Sequence, residues 1–167
     1  MIDTGGPQIT GITSNDGGGH TGLLEVGDTL TVTFNKSLAS ITSPATATEA
    51  RAGSLLYVTD VTLAIPGITQ SAADTGSGHY FGGCSGVIGL SLVCSAQSVT
   101  FTASIVVAGT GTSTTATVTV TSITGGGSTP TASSGVLVLT PAATITDTSG
   151  HPAPATAFTT PTAISLF

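Results

Sequence analysis

Six consecutive residues, Thr29-Leu-Thr-Val-Thr-Phe34, constrain this chain more than any other stretch. Leu30, Val32 and Phe34 alternate with Thr29, Thr31 and Thr33. An extended backbone sends the apolar side chains to one face and the hydroxyls to the other, whereas a helix would scatter both sets around its circumference. β-Branched Thr and Val and aromatic Phe also suit a pleated, half-buried surface. Gly27-Asp28, directly upstream, reads as a turn. A half-buried strand is therefore predicted here, and a strand requires a sheet.

The same period recurs. Val99, Phe101, Ala103 and Ile105 alternate with Thr100, Thr102 and Ser104, and Ala116-Thr-Val-Thr-Val-Thr-Ser-Ile123 repeats the pattern. The Gly-containing link between them predicts a hairpin. Further strands are expected within residues 7–14, 55–65, 87–94, 136–140, 144–147 and 159–167. Residues 40–53 are rich in Ala and Thr, with room for one helical turn at 48–51. Residues 15–20, 69–86 and 125–134 are loops by their Gly, Ser and Asn content. Eight or nine strands with almost no helix predict an all-β sandwich or barrel. A length of 167 residues fits one domain, or one domain carrying an insertion.

Charge narrows the function classes. Only 6 % of the residues are charged, against about 25 % in ordinary soluble domains. Lys36 and Arg51 are the only basic residues. Nucleic acid and anionic membrane surfaces both demand several cations, so neither is an expected partner. The eight acids are scattered, and a net charge of -6 marks no acidic tail. The N-terminus lacks the basic and apolar regions of a signal peptide, and no apolar run is long enough for a membrane helix. Together with the initial Met, this predicts a protein made and assembled inside a cell. Thr, Ser, Gly and Asn must solvate the surface, and such a surface resists association poorly.

Motifs for chemistry are weak. Asp3-Thr-Gly5 and Asp74-Thr-Gly76 match the D-T-G core of aspartic proteases, whose carboxylates share a proton. Their separation is too short for a complete lobe, so both read as turns. Gly17, Gly19 and Gly22 fit G-x-G-x-x-G, yet a strand pattern follows where pyrophosphate needs a helix. His20, His79 and His151 each lie beside Gly, without zinc-ligand spacing. Asp16 and Asp147 offer one carboxylate per loop, fewer than an all-protein calcium site uses. No catalytic residue, metal or cofactor is expected. Cys84 and Cys94 have two open states: a disulfide worth about 2–3 kcal/mol, or two buried thiols. Thr29/Thr31/Thr33 and Thr117/Thr119/Thr121 form Thr ladders of the kind that binds ice when strictly repeated. Two such ladders are better explained as cross-strand pairs. Asn35-Lys36-Ser37 is a formal glycosylation sequon.

Motif order carries one resemblance. Pro7-Gln-Ile-Thr-Gly-Ile12, the Gly27-to-Leu38 strand, the paired Ser98-Val-Thr-Phe-Thr and Ala116-Thr-Val-Thr-Val segments, Asp147-Thr-Ser-Gly-His151 and Phe158-Thr-Thr160 follow one another. In that order they resemble the bacterial immunoglobulin-like domains of surface-layer and adhesin proteins, a type also found on phage virions. The resemblance implies an immunoglobulin-like antiparallel β-sandwich spanning residues 1–167. It also implies an N-terminal arm at 1–7 and, because such domains run near 100 residues, a long loop-rich insertion at 39–86. It implies a non-enzymatic structural protein: a phage capsid decoration or tail-associated component on the virion, binding neighbouring structural subunits through the arm or the insertion. A bacterial cell-surface module is the alternative. A carbohydrate-binding module is a weaker one, with Tyr80 and Phe81 as its surface platform.

Overall fold

The computed structural model describes residues 5–19, 24–53, 58–69, 73–74, 87–88, 91–92, 97–124 and 136–164. Eleven strands occur among them: β1 (Ile9–Asn15), β2 (Thr29–Phe34), β3 (Ala45–Gly53), β4 (Val58–Ala64), β5 (Ala73–Asp74), β6 (Val87–Ile88), β7 (Ser91–Leu92), β8 (Gln97–Ala108), β9 (Thr114–Thr124), β10 (Val138–Leu139) and β11 (Phe158–Thr159). The one described helix is a 3-10 turn, Gly111–Ser113, between β8 and β9. Nine strands form a single sheet in the order β1-β2-β9-β8-β3-β4-β5-β10-β11, and β6 pairs only with β7. Every pairing is antiparallel.

β2 occupies the predicted residues, and its alternation decides which face is dry. Leu30, Val32 and Phe34 are 0 % exposed, while the three Thr are half-buried on the opposite face. β9 continues the arrangement in register, with Leu30 opposite Val118 and Thr31 opposite Thr117. β8 adds Phe101, Ala103 and Ile105 to the same dry face. Burying an aliphatic or aromatic side chain of this size stabilises the fold by about 1.5–3 kcal/mol relative to leaving it in water. Ile65, Ile68, Leu137, Leu139 and Ile145 join the same core cluster from outside these three strands. β1 and β11, the two ends of the strand order, lie against each other. The sheet therefore bends round one core.

Sequence expectation and structure part at four places. Residues 45–53, where no strand is expected, form β3, which is paired along its length with β8 and makes a hairpin with β4, itself within the strand expected at 55–65. The helical turn expected at 48–51 is strand, because Ala47 opposite Phe101 and Thr48 opposite Thr100 continue the period-two pattern. Within 87–94, the expected single strand is a pair of two-residue strands, Val87 opposite Leu92 and Ile88 opposite Ser91. Residues 144–147 form only isolated bridges, Leu38 with Asp147 and Thr146 with Pro152. The described part of the N-terminal arm, residues 5–7, rests on its own domain. Pro7 is buried, Lys36 Nζ donates to the Gly5 carbonyl, and a Cβ on Gly6 would stand 1.7 Å from the Pro152 carbonyl oxygen.

Candidate functional site

Three places combine polar chemistry with defined geometry. The first is the turn at 147–151. Gly150 adopts φ +86°, which few other residues tolerate, and its N–H reaches the Asp147 carbonyl at 2.9 Å. Asp147 Oδ1 accepts from the Ser149 and His151 amides at 2.8 and 2.9 Å. Its Oδ2 lies 3.1 Å from His151 Nδ1 and 3.9 Å from Lys36 Nζ. The His151 amide is the main influence holding the Asp147 carboxyl below its usual range; partial burial opposes it, while the His151 ring and the Ser149 amide act with it. The Ala39 amide donates to the Thr146 carbonyl at 2.8 Å, fastening the turn to the chain beyond β2. Asp147 thus joins the closing turn to the end of β2, and Lys36 extends that link to Gly5.

The second is Asp28, at 0 % exposure. Its Oδ1 accepts from the Gly17 and Gly18 amides at 3.0 and 3.1 Å, and its Oδ2 from the Glu25 amide at 2.5 Å. The glycine amides that would cradle a phosphate in a nucleotide fingerprint are here committed to the chain's own carboxylate. Sequence reasoning took Asp28 only as a turn residue. The available signal was an Asp immediately before a buried strand and close to a glycine run, where unpaired amides need an acceptor.

The third is the outer face of β1-β2-β9-β8-β3. Thr13, Thr31, Thr117 and Val106 form one row across four strands, and Asn15, Thr29, Thr119 and Ser104 form the next. Thr31 and Thr117 hydroxyls meet at 3.3 Å, so the two Thr ladders are cross-strand partners. Val106 is 59 % exposed among these hydroxyls. Among the described side chains, none on this face is charged.

Tyr80, Phe81, Cys84 and Cys94 lie outside the described residues, as do Asp3, His20 and His79. Asp74 sits in β5, paired with Thr62 and Val138, a sheet position rather than a turn. Asp16 accepts from the Gly19 amide at 2.8 Å, capping its own loop. Among the described residues, no three His, Cys, Asp or Glu side chains gather to hold a metal. Where β1 meets β11, Ile9, Pro141, Pro154 and Phe158 line a cavity of about 100 Å³, room for about three waters. Comparison of the chain with protein-family models, with curated proteins and with solved structures returned no match in any of the three.

Proposed function

We propose that this chain is a non-enzymatic structural module, an immunoglobulin-like domain serving as a virion surface component that docks on neighbouring structural subunits. The strand order β1-β2-β9-β8 is the order that strands A-B-E-D take in an immunoglobulin sandwich, which supports this reading. In this reading β3 and β4 are an extra hairpin that continues the sheet past strand D.

The observation that carries the proposal is the outer face of β1-β2-β9-β8-β3, on which no described side chain is charged. A free, crowded soluble protein keeps charges on such a surface to prevent association. A subunit that is covered in its assembly has no need of them, because interface cores are depleted in charge. The two carboxylates with the most defined surroundings, Asp28 and Asp147, are engaged by the chain's own amides, which gives them structural work.

Antibody raised against the purified chain, applied to cells that produce it and viewed by electron microscopy, tests the proposal. Gold on particles with capsid or tail morphology supports it. Gold on the cell envelope alone replaces it with the surface-layer or adhesin reading. Gold confined to the cytosol removes both.

A further inference from the structure

We infer that Asp16-Gly17 is this chain's site of spontaneous isoaspartate formation, and that Asp28 is the lock by which the fold holds it closed. The inference is independent of the virion reading. Among the Asp and Asn residues of the chain, only Asp16 precedes a Gly; Thr, Val, Lys or Asp follows the others. In the reaction the Gly17 nitrogen attacks Cγ of the neutral Asp16 carboxyl. A C–N bond forms, the nitrogen loses its proton, and one carboxyl oxygen leaves as water. Water then opens the succinimide ring at either carbonyl, which restores Asp or yields isoaspartate, with the backbone rerouted through the side chain. A following Gly favours the attack because it carries no Cβ to obstruct the nitrogen. Packing demands Gly at this position, since a Cβ on Gly17 would stand 2.1 Å from the Gly27 carbonyl oxygen. The fold therefore requires the labile half of the pair.

Geometry supplies the lock. In the succinimide, Cγ takes the place that the amide hydrogen held on the nitrogen. In the folded chain that hydrogen is given to Asp28 Oδ1, 3.0 Å from the Gly17 nitrogen. The ring can close only after the amide has turned away from Asp28. Asp28 is poorly placed to follow it, because its carboxylate also holds the Gly18 and Glu25 amides. Its backbone carbonyl accepts from the Val120 amide at 2.9 Å, and the Gly27 amide donates to the Val120 carbonyl at 2.9 Å. The lock is thus fastened to β9, outside the loop that it restrains. From the other side, Asp16 Oδ1 accepts from the Gly19 amide at 2.8 Å, which keeps the carboxyl over its own turn. Cyclisation must wait for local opening of residues 16–19, and its rate falls with the fraction of time the loop is open.

The test follows isoaspartate in the whole chain, kept in warm, mildly acidic buffer with and without denaturing urea, by isoaspartyl methyl transfer and peptide mapping. In urea the product should gather first at Asp16, and Asp16→Ala should remove it. Without urea it should form about tenfold or more slowly, as local opening becomes limiting. Asp28→Ala, assayed where circular dichroism shows it folded, should recover most of that difference. Gly111→Ala, which alters the turn between β8 and β9, should keep the parent's rate. Where Asp28→Ala fails to fold, Asp28→Asn replaces it; this side chain has the same shape but an uncharged acceptor, and should speed the reaction several-fold. Equal rates for the parent with and without urea overturn the inference, as does product that arises first at another Asp. A folded Asp28 variant that keeps the parent's rate overturns it too, and so does a Gly111→Ala chain that reacts as fast as the Asp28 variant.

Discussion

Asp28 and Asp147 are both buried acids that organise a turn, but they respond to different perturbations. Asp28 gathers three amides from two sides of a loop. Removing its carboxylate, itself 0 % exposed, takes the acceptor from all three amides at once. Asp28→Ala should therefore lower unfolding stability by about 3 kcal/mol, the order expected for lost charge-assisted bonds and unsatisfied donors. Urea titration should show the midpoint falling at an unchanged slope; a loss under about 0.5 kcal/mol would mean that water replaces the carboxylate. Asp147 is instead a pH probe. Its carboxyl is held low chiefly by the His151 amide, so the folded state binds its proton less readily than the unfolded chain. Its contribution is then fully present above the ordinary Asp value of about 3.9, and is lost as pH falls through the lower folded value. Thermal unfolding between pH 6 and pH 2 should show this loss in the parent. Asp147→Asn should be less stable at pH 6 and should flatten the acid decline, whereas a parallel curve would assign that decline to other groups.

At the level of elements, the β8–β9 hairpin is the most specific local device. Gly109 has φ +82°, and a Cβ there would stand 2.2 Å from the Ser113 carbonyl oxygen. Gly111, two residues on, has φ +61° with nothing within 4 Å of an added Cβ. Gly111→Ala should cost about 1 kcal/mol for the left-handed backbone alone. Gly109→Ala adds a backbone clash and should cost more, about 1–3 kcal/mol. Equal losses in chemical denaturation would show that the hairpin relaxes freely. Legibility in the sequence follows contrast between faces. β2, β8 and β9 were readable because large apolar residues alternate with Thr. β3 was not, because the residues on its dry face, Ala45 and Ala47, are small. Ala47 sits opposite Phe101, so the bulk at that position comes from the partner strand. β10 lies within the strand expected at 136–140 and β11 falls on the Phe158-Thr-Thr160 segment, each only two residues long.

On the scale of the whole molecule, what the sequence hid was non-local. The Asp147 turn was readable as a turn, yet its ties to Lys36 and, through Lys36, to Gly5 depend on strands that meet only after the sheet has bent round. The outer face was visible as two separate Thr ladders. That they are neighbours in one surface follows from β2 pairing with β9, with Thr31 and Thr117 separated by 86 positions. The same separation governs folding. The β8–β9 hairpin can form early because its strands are joined by a short turn. β2 can dock on β9 only after a long loop has closed, and the Ser43 hydroxyl, which accepts from the Ile105 amide 62 positions away, faces the same requirement. Loop closure must be completed before those contacts stabilise anything, so topologies of this kind fold in about milliseconds to seconds. Stopped-flow refolding of the chain should fall in that window. Thr119→Gly, at the β2–β9 and β8–β9 junction, should slow refolding if β9 is structured in the transition state. Gly111→Ala should slow it further in proportion to its stability loss if the hairpin forms first. A hairpin variant that only speeds unfolding would place the β2–β9 pairing ahead of the hairpin, and would make the long-range half of the sheet the nucleus.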